Sequence, residues 1–156
     1  MAIYLVQHGK NLPEDVDAGK GLSGEGKKEV EQVAATAKSY GLNIAAIRHS
    51  GKKRALQTAE MFERILGSRD GVQEMAGLGP TDDVTKLAAA LEQHENTMFV
   101  GHLPFMEKLV AYLIRGSTEI PVIKFKNGGI VCLEKDREIG EWIIQWVIPP
   151  IEPVNQ

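Results

Sequence analysis

Two of the four histidines in this sequence stand beside a glycine at the end of a short apolar run. His8 follows residues 2–6, and His102 follows residues 98–100. An unprotonated imidazole is able to accept a phosphoryl group, and a second, protonated imidazole can offset negative charge. The guanidinium of Arg54 can bind two oxygens of a phosphate in a forked geometry. These residue types therefore favour anion binding, with phosphoryl transfer as the chemistry.

The elements that position these residues follow from the hydrophobic pattern. Apolar runs predict buried strands, and apolar residues at helical spacing between them predict four helices. The predicted strands cover residues 2–6, 44–47 and 97–100. Ser23, Ser50 and Thr81 are the expected N-caps of the first three helices, and Pro104 fits the first position of the fourth. The alternation of strand and helix predicts an α/β fold, a three-layer α/β/α arrangement around a mostly parallel central sheet.

The end of the chain is predicted to be rich in β-structure. The candidate pieces are residues 122–125, 130–133 and 142–147. Trp142, Ile144 and Trp146 alternate along the last of them, so we expect all three side chains to fill one face of a strand.

In an open sheet of this kind, ligands bind beyond the carboxyl ends of the strands. His8 and His102 are predicted at two such ends. Arg54 is predicted in the first turn of a helix, where free backbone N–H groups and the helix dipole favour anions. We expect the glycines beside the two histidines to let the backbone approach a ligand closely. The sequence thus predicts one shared anion site.

Composition limits the classes of protein to consider. The chain has 156 residues, 43% hydrophobic and 25% charged, which predicts one globular domain over residues 1–156. The net charge of −3 argues against general affinity for nucleic acid or for an anionic membrane. Cys132 is the single cysteine, so an internal disulfide and a multi-cysteine metal site are excluded. No signal peptide or membrane span is evident, and we expect a cytoplasmic protein.

Three segments together resemble a known family. Residues 5–9 (LVQHG), 50–59 (SGKKRALQTA) and 100–104 (VGHLP) are similar to the three signature segments of the histidine phosphatase superfamily, the phosphoglycerate mutase-like proteins, in the family's order. Each segment alone is a weak signal, whereas the ordered trio is specific. The short chain and the His-Leu-Pro form of the third segment are most similar to the small bacterial phosphohistidine phosphatases of the SixA type.

The resemblance implies a fold, a mechanism and a partner. In the mechanism, His8 takes the phosphoryl group, Arg54 and His102 hold its oxygens, and water then releases phosphate. No metal and no cofactor are implied. The implied substrate is a phosphohistidine on a phosphorylated protein, whose N–P bond is labile and whose leaving group departs as neutral imidazole. A small phosphorylated substrate, such as a phosphate ester, is the weaker alternative.

The sequence departs from the family pattern at two positions next to His8. Gln7 stands where the family has an arginine, so a second guanidinium is missing. Lys10 stands where an acidic residue is common and can partly restore the lost positive charge. We therefore count both residues as candidate phosphate ligands. Gln7 also leaves a second function open, that of a phosphate-binding or phosphoprotein-binding domain with weak turnover or none.

The general acid of many larger family members would fall near residues 75–78, where the best-matching position is Gly77. Glu74, Asp82 and Asp83 are the acidic residues nearby, and helix-start electrostatics explain the two aspartates equally well. Oligomeric state is left open by the sequence.

Other polar residues near the motifs have simple structural interpretations. His49 is expected in a loop at the rim of the site, and His94 at the C-terminus of a helix. Lys52 and Lys53 are expected to form a solvated helix start, which can also attract an acidic phosphoprotein.

Overall fold

The computed structural model of the chain describes residues 1–151. One six-stranded sheet has the strand order β3-β2-β4-β1-β5-β6. The elements along the chain are β1 (Ala2–Gln7), α1 (Gly24–Ser39), β2 (Ala46–His49), α2 (Lys53–Leu66), β3 (Val72–Glu74), α3 (Val84–Ala90), β4 (Thr97–Gly101), α4 (Phe105–Arg115), β5 (Ile130–Lys135) and β6 (Trp142–Ile148). No helix within these residues is long and apolar enough to cross a membrane.

Four adjacent strands of the sheet run parallel, and the last two are antiparallel. β4 pairs in parallel with both β1 and β2, and β2 pairs in parallel with β3. β5 pairs antiparallel with β1 and β6. Gln7 stands opposite Gly101 and His49 opposite Val100, so β1, β2 and β4 end at the same edge of the sheet. The predicted mostly parallel sheet is confirmed.

Helices cover both faces of the sheet and give the predicted three layers. On one face, α1 and α2 contribute Val30, Val33 and Phe62 to an apolar cluster with the strands. On the other face, α3 and α4 contribute Leu87 and Leu109 to a second cluster. Full burial of a side chain such as Phe62 stabilises the fold by about 1.5–3 kcal/mol. Helical spacing of the apolar residues predicts these buried faces correctly.

The helix starts agree with the sequence only in part. Ser23 caps α1 as predicted, because its hydroxyl accepts a hydrogen bond from the Gly26 N–H at 3.0 Å. The prediction for Ser50 is wrong: α2 starts at Lys53, its N-cap residue is Lys52, and no side chain caps it.

The starts of α3 and α4 also differ from prediction by one or two residues. Asp83, rather than Thr81, caps α3, and its carboxylate accepts a hydrogen bond from the Thr85 N–H at 2.9 Å. Asp82 and Asp83 thus precede α3 instead of lying in its first turn. Pro104 is the N-cap residue of α4, one place before the predicted position.

The strands were less well predicted than the helices. β2 lies two residues later than predicted, β3 was not predicted, and residues 122–125 form no strand. β3 has three residues, of which two are exposed, so it lacks the apolar run that marks a buried strand.

A β-bulge overturns the prediction for β6. Cys132 pairs with Trp146, but Leu133 pairs with Ile144, so one residue of β6 is unpaired between them. The extra residue reverses which side chains face each layer. Trp146 consequently packs near Tyr4, with ring centroids 5.9 Å apart, while Trp142 and Ile144 pack in the cluster on the opposite face.

Candidate active site

The backbone of His8 is fixed by its neighbours at the end of β1. Its N–H donates a hydrogen bond to the Gly101 carbonyl oxygen at 2.9 Å, which extends the pairing of β1 with β4. The Asn127 side-chain amide donates to the His8 carbonyl oxygen at 3.0 Å. The residue is only 8% exposed. His8 therefore has little freedom to move relative to the sheet edge.

The imidazole of His8 is held in one tautomer. Its Nδ1 lies 2.7 Å from the Gly9 carbonyl oxygen, and a carbonyl oxygen can only accept a hydrogen bond. The proton is therefore on Nδ1, and Nε2 keeps its lone pair. Burial lowers the pKa of His8, and the nearby charge of Arg54 lowers it further, against the opposing effect of the Gly9 hydrogen bond. His8 is thus a neutral imidazole at neutral pH, with a nucleophilic nitrogen.

His102 follows β4 and lies against His8. The two ring centroids are 5.0 Å apart, with the planes inclined by 52°. Nε2 of His102 is 2.6 Å from the Ser50 hydroxyl, and Nδ1 is buried without a hydrogen-bond partner among the described residues. Burial, followed by the charges of His8, Arg54 and Lys52, lowers the pKa of His102 to about 3. The unliganded site therefore holds this imidazole neutral.

Arg54 is the second residue of α2 and is half-buried. Within residues 1–151 its guanidinium has no hydrogen-bond or ion-pair partner, and burial lowers its pKa. Its charge acts on the pKa of both histidines, so it lies close to both. Since no side chain caps α2, the positive end of the helix dipole is also open to an anion. The structure thus brings His8, Arg54 and His102 together.

Gln7 and Lys10 differ from that group. Gln7 is half-buried, and its side-chain amide makes no hydrogen bond within the described part of the chain. Nζ of Lys10 lies 2.9 Å from Oε1 of Glu25 and 3.4 Å from Oε1 of Glu29. The hydrogen bond to Glu25 is the main reason why the pKa of Lys10 is raised. The Lys10 charge is therefore engaged by two carboxylates of α1, whereas that of Arg54 is free.

The glycines beside the histidines are explained by packing. A Cβ atom on Gly9 would stand 2.8 Å from Cγ2 of Val30, and one on Gly101 would stand 2.9 Å from Cε of Met106. A side chain at Gly9 would clash with Val30 of α1, and one at Gly101 would require the end of the Met106 side chain of α4 to shift. Close packing of the strand ends against α1 and α4 is thus one reason for the two glycines, and the expectation that they let the backbone approach a ligand stays a prediction.

The two aspartates among the candidates for proton transfer are engaged near the start of α3. Asp83 caps α3, and Asp82 accepts a hydrogen bond from the Gly79 N–H at 2.7 Å. The two aspartates line a depression of about 420 Å³, and His8, Arg54 and His102 do not line it. Glu74, at the end of β3, instead contacts the turn before α2, where its carboxylate fills the space beside Gly51. Within residues 1–151, no group of three or more His, Cys, Asp or Glu side chains is placed to hold a metal ion.

Three residues near the site are not among the candidate site residues that the sequence predicts. Ser50 was expected to cap a helix, yet it contacts His102. Lys52 is exposed, as expected for a solvated helix start, and its charge lowers the pKa of His102. His49 is 5% exposed, and its Nδ1 accepts a hydrogen bond from the Gly51 N–H at 3.0 Å. In the sequence, the one indication that these residues lie near the site is their place in the chain: Ser50 and Lys52 belong to the second motif, residues 50–59, and His49 directly precedes it.

Known structures match this chain over nearly its whole length. No protein-family model and no curated protein sequence matches it. The protein histidine phosphatase SixA complexed with tungstate has a TM-score of 0.83 and 27% identity, covering 96% of this chain and 97% of that one. A protein of Agrobacterium tumefaciens described as phosphohistidine phosphatase SixA has a TM-score of 0.75 and 25% identity, with coverages of 96% and 97%.

A third similar structure shows how far the fold extends. Phosphoserine phosphatase of Entamoeba histolytica, in complex with 3-phosphoglyceric acid, has a TM-score of 0.69 at 17% identity, covering 94% of this chain and 96% of that one. The sheet and helices therefore define an α/β fold of the phosphoglycerate mutase type. The chain has the fold of the histidine phosphatase superfamily and resembles its SixA-type phosphohistidine phosphatases, as the three sequence segments predict.

Proposed function

We propose that this protein is a phosphohistidine phosphatase in which His8 accepts the phosphoryl group. The observation that carries the proposal is the contact of two neutral, buried imidazoles, with ring centroids 5.0 Å apart, beside a guanidinium that has no partner among the described residues. Such a group is suited to an anion that must be both held and attacked. The similar SixA structure complexed with tungstate, a tetrahedral oxyanion like phosphate, supports the same conclusion.

In the first step, the lone pair on Nε2 of His8 forms a bond to phosphorus. The P–N bond to the substrate imidazole breaks, and the departing nitrogen takes the electron pair. The proton on Nδ1 of His8 stays in place, where the Gly9 carbonyl oxygen stabilises the positive charge that the ring acquires. In the second step, water attacks phosphorus, Nε2 of His8 recovers its electron pair, and phosphate leaves.

The other groups hold the oxygens of the transferring phosphoryl group. Arg54 supplies a forked guanidinium, and the uncapped start of α2 supplies backbone N–H groups and a favourable dipole. We assign the unpaired Nδ1 of His102 to the same anion. Because these groups are fixed before substrate binds, they stabilise developing charge with little reorganisation. No residue in this mechanism requires a bound metal or a cofactor.

The leaving group favours phosphohistidine over a phosphate ester as substrate. An alkoxide is a poor leaving group and needs a general acid, whereas an imidazole with a proton on its other nitrogen departs neutral. Among the acidic candidates, Asp82 and Asp83 are engaged at the start of α3, and only Glu74 lies beside the second motif. The partner we propose is thus a protein that carries a phosphohistidine.

A second function, a phosphate-binding or phosphoprotein-binding domain, is favoured by one specific observation. The position before His8 has a neutral amide, and the Lys10 charge is engaged by Glu25 and Glu29. Arg54 is then the principal cation for the transferred group, and loss of a charge-assisted contact reduces stabilisation by about 1.5–3 kcal/mol. A site weakened to this extent could bind an oxyanion and turn it over slowly.

One experiment separates the two functions. Phosphate release from a phosphohistidine-bearing protein is measured for the wild type, Arg54→Met and Lys53→Met, with tungstate affinity measured in parallel. Lys53 is the matched control, because it is a cation in the same helical turn but pairs with Asp17 at 2.9 Å. We expect Arg54→Met to lower turnover by about 10²-fold or more, and Lys53→Met to leave it nearly unchanged.

The alternative function gives a different result. Tungstate binding that depends on Arg54, without release of phosphate by the wild type, would identify a binding domain. Equal losses in the two variants would contradict the assignment of Arg54 to the anion.

A further inference from the structure

Ser50 has a partner that the helix-cap prediction did not anticipate. Its hydroxyl lies 2.6 Å from Nε2 of His102, a residue 52 positions later in the chain. The hydroxyl oxygen also accepts a long hydrogen bond, 3.4 Å, from the Lys52 N–H. No other polar group among residues 1–151 contacts it. The hydroxyl proton of Ser50 is therefore available for His102.

Counting protons distinguishes the two tautomers of His102. If Nε2 carried the proton, Ser50 would accept it, its own hydroxyl proton would lack an acceptor in the described structure, and Nδ1 would be a buried lone pair. If Ser50 donates to Nε2, the Ser50 hydroxyl proton and the Nε2 lone pair satisfy each other, and only the Nδ1 proton remains unpaired. A buried N–H is what an anion can satisfy, whereas a buried lone pair would repel it.

We propose that Ser50 is a positioning residue: it donates its proton to Nε2 of His102, and thereby holds His102 as the neutral tautomer whose Nδ1–H binds an oxygen of the anion. The inference rests on the proposed function, because Ser50 acts through His102, which binds the phosphoryl group in the proposed mechanism. Ser50 does not itself touch the substrate. It adds that His102 acts as a hydrogen-bond donor without first being protonated.

The surroundings of His102 favour a neutral donor. Besides burial, the groups that disfavour its protonation are Arg54 and Lys52, at the start of α2, and His8, at the end of β1, when His8 is itself protonated. No acidic residue is among the groups whose charges act on it. A tautomer fixed by Ser50 supplies the donor in the resting site, before any anion arrives.

The turn that carries Ser50 is itself held in place. Gly51 has a φ of +95°, a conformation that side chains rarely adopt, and its N–H donates to Nδ1 of His49 at 3.0 Å. The Glu74 carboxylate packs against the same glycine. These contacts hold the backbone next to Ser50, whose hydroxyl lies 2.6 Å from Nε2 of His102.

The test reads the tautomer directly, without substrate. The protein is labelled with ¹⁵N-histidine, and the Nδ1 and Nε2 shifts of His102 are recorded near pH 7.5. We expect Nδ1 to have the shift of a protonated nitrogen and Nε2 that of a nitrogen with a lone pair. In Ser50→Ala the two forms should mix, and Ser50→Thr, which keeps a hydroxyl, should restore the wild-type pattern. Ser68→Ala, which removes a hydroxyl bonded to Glu63 just beyond α2, is the matched control.

Two functional measurements accompany the spectra. We expect Ser50→Ala to weaken tungstate binding severalfold and to lower kcat for a phosphohistidine protein about tenfold, with KM less affected and with recovery in Ser50→Thr. A wild-type His102 with its proton on Nε2 would overturn the proposal, even if Ser50→Ala did not fold. The proposal would also be overturned if His102 had the same tautomer in Ser50→Ala as in the wild type. Absence of phosphatase activity in every variant would contradict the proposed function alone, because the spectra and the tungstate affinities need no turnover.

Discussion

The ends of β1 and β4 carry two histidines that share most of their environment and differ in one contact. His8 and His102 lie in ring contact, both are buried, and the pKa of each is lowered by burial first. Nδ1 of His8 donates to a carbonyl oxygen, so Nε2 is left with a lone pair. Nε2 of His102 is instead engaged by the Ser50 hydroxyl, which leaves Nδ1 without a partner among the described residues.

In a buried imidazole, the hydrogen bond made by one ring nitrogen determines whether the other nitrogen carries a proton or a lone pair. A carbonyl oxygen can only accept, so the neutral imidazole of His8 keeps its lone pair on Nε2. A hydroxyl can donate or accept, so the role of His102 depends on a side chain that can be changed. Two similar imidazoles can thus have separate roles, one attacking phosphorus and one binding its oxygens.

The largest effect is expected from removal of the nucleophile. His8→Ala should lower turnover of a phosphohistidine protein by about 10⁴-fold or more, since His8 is the acceptor of the phosphoryl group in the proposed mechanism. Tungstate binding should weaken much less, because Arg54 and the start of α2 remain. Phosphate release and tungstate affinity are measured on the same preparation. Turnover that persists would mean that water or another group attacks directly.

Removal of the second histidine should have a smaller and different effect. His102→Ala should lower kcat by about 10²- to 10³-fold, the range for loss of one preorganised donor. The phosphorylated form of His8 should still be produced, although more slowly. Rapid-quench measurement of phosphoenzyme in the two histidine variants tests this directly. If the His8 variant formed phosphoenzyme and the His102 variant did not, the two roles would be reversed.

Restoring a cation next to His8 should raise activity. Gln7→Arg places a guanidinium where a neutral amide now has no hydrogen-bond partner among the described residues, and it should increase turnover more than tenfold, about 1.4 kcal/mol of barrier. Gln7→Met is the control for the change in side-chain shape. A loss of activity with the fold intact would show that the site is built around glutamine, which favours a binding role or a different substrate.

Stability should depend on pH through the same two histidines. Both have a lowered pKa in the folded state, so the unfolded chain binds more protons below the ordinary value of 6.5. The free energy of unfolding should therefore fall as pH decreases from about 6.5. The part of this decrease that is due to His102 should be complete near the pKa of His102, about 3. When the free energy of unfolding, measured by urea denaturation, is plotted against pH over this range, the plot for His102→Gln should be less steep than that for the wild type. An equal slope would mean that His102 is not held neutral.

Much of the fold follows from patterns within single segments. The helices were predicted because apolar residues such as Val30, Val33 and Ala37 recur at helical spacing, and all three are buried. The parallel arrangement follows from the alternation of elements. The bulge in β6 and the three-residue β3 were missed, because both depend on pairing between strands rather than on the sequence of one strand.

The candidate site divides in the same way. His8, Arg54 and His102 could be identified because each stands in a motif at the end of a strand or the start of a helix. The contact of Ser50 with His102 joins residues far apart in the chain, so no local pattern indicates it. The pairing of Lys10 with Glu25 likewise depends on how the loop after β1 lies on α1.

The most direct test of the central claim is the site of phosphorylation. The protein is incubated with a ³²P-labelled phosphohistidine donor and quenched in alkali, where phosphohistidine survives, and the labelled peptide is then identified by mass spectrometry. The mechanism predicts a single phosphohistidine at His8, on Nε2, which disappears on further incubation with water as labelled phosphate is released. Label on His102 or His49, or release of phosphate with no label on His8 at any time, would contradict it.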